Sequence, residues 1–211
     1  MTNRIRWGAA RAAAAGLLLL LAAAAAHAGW KGFDQFDERE DSGIFSRANQ
    51  KRLDNLAIAG VVGLAVVEGT ETKLGRTAWQ ALDAALLTAA TTESMKRIFT
   101  RPRPVENPDP GAWFAGGRHR SFPSGEVAMM AAFTTPFILA YKDEHPAAWA
   151  LAAVPLYMAK GRMASQAHWL TDVAAGAAIG AGMGYFSARR NVPLVLSVVG
   201  RTTFIGVRYR F

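Results

Sequence analysis

Apolar and polar positions fall along the chain in blocks long enough for helices. The first block, Ala12 to Ala26, is apolar throughout and centred on Leu17–Leu21. Arg4, Arg6 and Arg11 precede it, and Ala26-His27-Ala28 supplies a small-x-small site before Gly29. This order predicts a secretory signal peptide over residues 1–28 and an exported chain. An uncut membrane helix is the competing reading, but the run is short for a span.

Residues 29–52 are polar and mixed in charge, with acids such as Asp34 and Asp41 among aromatics such as Phe33. They predict an irregular or partly helical lead-in that lies over one domain, 29–211. Apolar periodicity predicts helices over Leu53–Val67, Ala78–Phe99, Gly125–Tyr141, Ala147–Lys160, and from His168 or Leu170 to Ala188. Pro146 suits the start of the fourth helix, and Pro155 is a candidate kink. Thr100 to Ser121, rich in Pro, Gly and Arg, reads as a long loop, and such loops usually carry function. Gly176, Gly180, Gly182 and Gly184 would let a neighbouring helix approach the fifth. The tail changes period. Leu194–Val199 and Thr203–Phe211, around Gly200-Arg201-Thr202, read as a terminal β-hairpin. The fold class is therefore all-α, a bundle of about five core helices with a short C-terminal hairpin (194–211). Each mature apolar run is about 14–18 residues, at or below the usual span of about 20, so a buried core and short membrane spans both fit.

Composition narrows the chemistry. The chain has no cysteine, which excludes a disulfide framework, thiol catalysis and cysteine-ligated metal. Its formal net charge is +8, and removing a leader with three arginines and no acid leaves +5. A basic excess favours anionic partners such as phosphate esters or anionic lipid surfaces. No nucleic-acid motif accompanies the charge, so nucleic acid is not an expected partner.

Three patches at helix ends carry the candidate chemistry: Lys96 to Pro104, Ser121 to Glu126, and Gly161-Arg162 with His168 to Asp172. Phosphoryl transfer needs fixed cations and aimed N–H donors for charge on the phosphate oxygens. Lys96, Arg103 and Arg162 offer the cations. Ser124 and Gly125 open a helix whose free backbone N–H groups suit an anion. Without cysteine, a neutral His168 is the best nucleophile, forming a phosphohistidine. Asp172, one helical turn on, can hold one ring nitrogen and leave the other free. Taken singly, each piece has a plainer reading: a structural His–Asp pair, a loop Arg-Pro repeat, a Ser124 cap.

Together the patches resemble the type 2 phosphatidic acid phosphatase superfamily, which includes bacterial acid phosphatases and vanadium haloperoxidases. Its pattern is Lys, six residues, Arg-Pro; then Pro-Ser-Gly-His; then Ser-Arg, five residues, His, three residues, Asp. Here Lys96 leads to Arg103-Pro104, Pro123-Ser124-Gly125 follows, and Arg162 leads to His168 and Asp172. The resemblance implies a helical bundle with the site at its end. It implies phosphate binding by Lys96, Arg103, Ser124, Gly125 and Arg162, His168 as nucleophile, and Asp172 orienting it. No metal and no cofactor are implied. The expected substrate is a phosphate ester or phospholipid, met in the periplasm or at the periplasmic face of the inner membrane, with membrane association possible. Two positions depart. Gly161 replaces Ser, and Glu126 replaces the general-acid His. Raising the pKa of Glu126 would let it serve as the acid, but neighbouring cations push it toward ionised. His119, upstream in the loop, is a conceivable substitute. The expectation is a slow or substrate-restricted phosphatase. The alternatives are a catalytically impaired phosphate or phospholipid binder and a vanadate-dependent oxidase, the last disfavoured by the missing His and the small size. Trp113, Phe114 and Trp169 would either line an apolar approach or pack on the core.

Overall fold

The computed structural model describes residues 32–35 and 38–190. The expected leader and the expected hairpin (194–211) lie outside them. Among the described residues the protein is all-helical, with five α-helices and no strand.

Helix α1 (Arg47–Glu68) starts six residues before the first expected position. Its opening turn is polar, so apolar periodicity does not reveal it. Ser46 Oγ accepts from the Asn49 N–H (3.4 Å), and Asp41 Oδ1 accepts from the Arg47 N–H (2.5 Å). Helix α2 (Lys73–Phe99) likewise starts early, because Thr72 Oγ1 accepts from the Gly75 N–H at 3.0 Å. Both are side-chain caps that satisfy otherwise unpaired N–H groups. Helix α2 ends at Thr100, which takes left-handed geometry (φ 36°) and returns its N–H to Lys96 O.

Helix α3 (Gly125–Tyr141) has the expected bounds. The fourth expected helix divides into a 3-10 helix, Pro146–Ala152, and α4, Ala153–Ala164. Proline explains the division. Pro155 lacks an N–H and falls in the first turn of α4, where that donor would go unused. Helix α5 runs Leu170–Ala188.

The core lies where the five helices meet, around Ala65, Ala78, Ala81, Val127, Met130, Phe133, Met158 and Val173. Small residues set the α3–α5 spacing. A Cβ on Gly176 would come within 2.4 Å of Ser124 O, and one on Gly180 within 2.0 Å of Ala128 O. Gly184 meets Thr135 in the same way, but Gly182 faces open space and takes no part. No helix among the described residues is long and apolar enough to cross a membrane.

The lead-in is fixed to the bundle. Glu40 N–H donates to Ala164 O (2.9 Å), and Phe45 stacks on Tyr157 with centroids 5.4 Å apart. The loop after α2 is pinned by Ser121 N–H to Arg101 O and Phe114 N–H to Phe99 O, each 2.9 Å. These ties bring the end of α2 and the starts of α3 and α5 to one end of the bundle.

Candidate active site

An open cavity of about 1000 Å³ lies at that end. Lys96, Arg103, Gly125, Glu126, Arg162 and His168 all line it. Ser124 does not. It is fully buried behind the cavity as the first residue before α3, and its N–H donates to Asp172 O at 2.9 Å. Asp172 is also fully buried, behind His168.

His168 is 4% exposed, and its Nδ1 stands 3.7 Å from Asp172 Oδ2. That is an electrostatic contact, longer than a hydrogen bond. Burial lowers the imidazole pKa to about 4; Asp172 opposes the shift, and Lys96 and Arg162 reinforce it. At neutral pH the ring is therefore uncharged and carries a free lone pair. Asp172 Oδ2 accepts from the Ser121 hydroxyl (2.5 Å) and the Trp169 N–H (2.9 Å). Its Oδ1 accepts from Arg101 at 2.7 Å. Burial works against its ionisation, but His168, Arg101 and Ser121 together hold its pKa below the usual carboxylate range.

Lys96 and Arg162 are held at helix ends, and Arg103 in the loop after α2. Lys96 Nζ donates to Arg120 O (3.0 Å) and to Pro123 O, which ties α2 to the start of α3. Burial, with Arg103 and Arg120 nearby, lowers its pKa to about 8 although Asp172 opposes this. Burial also lowers Arg162 to about 10, against the pull of Glu126. The Arg103 backbone is fixed by Glu106, whose carboxylate accepts its N–H at 3.0 Å.

Glu126 is the departure that matters most. Arg47, from the first turn of α1, grips it with both terminal nitrogens, at 2.8 Å and 2.5 Å. Arg162 Nε stands 2.9 Å from Glu126 Oε2. Burial raises the Glu126 pKa, but the Arg47 hydrogen bonds and the charges of Arg162 and Arg47 outweigh it, so the net shift is downward. Glu126 is an ionised acceptor between two guanidiniums and holds no proton to donate. Asp54, further along α1, lines the same cavity, and burial with Glu126 nearby raises its pKa to about 6. Gly161 answers to α1 as well. A Cβ there would lie 2.6 Å from Gln50 Nε2, so Gln50 occupies the space a serine would need.

His119 is not among the residues that line the cavity. Its Nδ1 is 3.0 Å from Glu106 Oε2, the same oxygen that accepts the Arg103 N–H. Trp113, Phe114 and Trp169 are not among the cavity lining; Phe114 packs on Phe99 but stays half exposed. Trp169 is buried and donates to Pro102 O, while Trp113 meets Phe99 and Phe122 edge-on. Sequence reading missed Arg47, Arg101, Asp34 and Ser121. Arg101 stood beside Arg103 in the Arg-Pro repeat, and that doubling was the available signal. Nothing distinguished Asp34 from the other acids of the lead-in.

No curated protein and no solved structure matches the chain. The family model for the PAP2 superfamily matches residues 77–193, from within α2 to just past α5, and so takes in all three patches. That segment is more than half of the chain, and the protein belongs to the type 2 phosphatidic acid phosphatase (PAP2) superfamily, whose members are generally phosphatases.

Proposed function

We propose that the protein is a metal-independent phosphatase. It would hydrolyse phosphate monoesters or lipid (pyro)phosphates through a phosphohistidine, outside the cytoplasm on the periplasmic side. The carrying observation is the convergence of a neutral His168, backed by Asp172, with Lys96, Arg103 and Arg162 on one open cavity. In the first step an imidazole nitrogen attacks phosphorus and the bond to the leaving oxygen breaks, its electron pair departing with that oxygen. The side of the ring away from Asp172, Nε2, is the attacking one. Water then attacks the phosphohistidine, the P–N bond breaks, and phosphate leaves with His168 regenerated. The three cations stabilise charge on the transferring oxygens.

Glu126 shapes the substrate range. Being ionised, it leaves the departing oxygen without a protein-borne proton. Leaving groups of low pKa, an aryl oxide or a phosphate, depart without one. The same ion pair supports a second reading, a phosphate- or phospholipid-binding protein with impaired turnover, because an ionised Glu126 held by Arg47 and Arg162 cannot protonate the leaving oxygen while Lys96 and Arg103 remain in the cavity.

The test is phosphate release by the purified protein from an aryl phosphate, a lipid phosphate and a lipid diphosphate, with chelator present. We expect chelator-resistant release, fastest from the aryl phosphate and the diphosphate, and absent in His168→Ala. Release no greater than that of His168→Ala on every substrate leaves the binding protein as the better reading. Glu126→His separates the two further: a large gain marks an impaired site, and a loss shows that the carboxylate is used.

A further inference from the structure

We propose that Asp34, in the lead-in, is a positioning residue for the His168–Asp172 pair, acting through Arg101. It lies outside the segment that the family model matches. The side chains of Asp34, Arg101 and Asp172 are 2%, 1% and 0% exposed. Arg101 divides its guanidinium between the two acids. One terminal nitrogen donates to Asp172 Oδ1 (2.7 Å) and Thr171 Oγ1 (2.8 Å). The other donates to Asp34 Oδ2 (2.7 Å) and Pro110 O (2.8 Å). Asp34 also accepts from the Thr171 N–H (2.8 Å) and the Thr171 hydroxyl (2.7 Å). Among the described residues the groups that bond to Asp34 are N–H and O–H donors, partners that a carboxylate can accept from on both oxygens.

The consequence is a charge balance. Arg101 alone would cancel Asp172, leaving a neutral pair behind the imidazole. Asp34 takes half of the guanidinium, so the trio keeps one net negative charge where His168 needs it. The need is real because His168 is also faced by Lys96 from α2 and Arg162 from α4, with Glu126 from α3 and, in the same cavity, Asp54 from α1 and Asp41 from the lead-in on the opposing side. A phosphorylated imidazole gains positive character, which those cations disfavour and a full negative charge behind the ring favours. Asp34 does mechanical work too. Thr171 is the second residue of α5, and Asp34 satisfies its N–H from outside the helix, fixing the turn that carries Asp172.

The inference rests on the phosphatase reading only for turnover, so the experiment has a readout that needs none. In full-length protein labelled with 15N-histidine, the His168 ring nitrogens are titrated by NMR. Asp34→Asn, isosteric but neutral, is expected to lower the His168 pKa by about one unit. It is also expected to cut kcat about tenfold or more with KM within about twofold. The double variant Asp34→Asn/Arg101→Gln removes one charge of each sign and is expected to restore the wild-type titration. It also gives the test should Asp34→Asn alone fail to fold. A folded Asp34→Asn with an unshifted His168, or a double variant whose His168 remains displaced, overturns the proposal. A silent wild-type enzyme that shows the expected titrations would count against the phosphatase reading and leave this one standing.

Discussion

Lys96 and His168 face one cavity, and each must be in a protonation state that burial favours for one and opposes for the other. A nucleophilic imidazole must be neutral, and with a pKa of about 4 it is so across the neutral range. A phosphate-gripping lysine must be charged, and with a pKa of about 8 it loses charge just above neutrality. The free-enzyme profile, kcat/KM against pH, reports both groups. We expect a plateau between about pH 4 and about pH 8, falling on the acid side as His168 gains its proton and on the alkaline side as Lys96 loses one. Lys96→Arg, whose charge persists to higher pH, should push the alkaline limb upward. An alkaline limb that stays in place in that variant would assign it to another group. At this scale the motif residues Lys96, Arg103, Gly125, Glu126, Arg162 and His168, drawn from three separate patches of the sequence, line one cavity. Arg47 and Asp34 were not legible. Their partners Glu126 and Arg101 lie 79 and 67 residues away, and no local pattern encodes such a pairing.

Helix α5 packs on α3 through Gly176, Gly180 and Gly184, at intervals of four residues that keep them on one face. The pairing positions chemistry, because Gly176 lies against Ser124 and the Ser124 N–H bonds to Asp172 O. Gly180→Ala would drive a methyl into Ala128 O, and we expect a loss on the order of 2 kcal/mol or more in denaturant unfolding. Gly182→Ala points into open space, and there the gain in helix propensity should stabilise by roughly 0.5–1 kcal/mol. Equal effects at the two positions would refute the packing account. The glycines were visible as a group in the sequence, but their separation into packed and free was not, because it depends on the rotation of α5 about its axis. Helix starts were misjudged for a related reason. The first turns of α1 and α2, Arg47-Ala48-Asn49-Gln50 and Lys73-Leu74-Gly75-Arg76, have too few apolar side chains to show a period, so their capping residues, Ser46 and Thr72, carried the signal that periodicity lacked.

Over the whole molecule, function and stability pull apart. Lys96, Arg103, Arg162 and Arg47 crowd one end of the bundle, and their mutual repulsion contributes to the lowered pKa values of Lys96 and Arg162. A bound anion relieves that repulsion in the folded state alone. Inorganic phosphate at a hundred times its Kd should therefore stabilise by about 2.7 kcal/mol, raising Tm by several degrees. Lys96→Met should raise Tm without phosphate and shrink the phosphate-induced rise. A variant that lowers Tm without phosphate would show that Lys96 serves the fold through Arg120 O and Pro123 O more than it strains it. The bundle itself was readable from periodicity and loop composition. The contribution of the lead-in was not, since its value lies in contacts with distant helices.

Those contacts also set an order in time. Asp34 is synthesised early, yet Thr171, which holds it, follows 137 residues later. A chain emerging N-terminus first can pair the carboxylate with Arg101 but lacks its Thr171 partners until the start of α5 exists, and closing so long a loop comes late in folding. The negative charge behind His168 is thus complete only when nearly the whole domain has been made. A chain that begins after Asp34 carries every motif residue without the electrostatic setting that the lead-in provides.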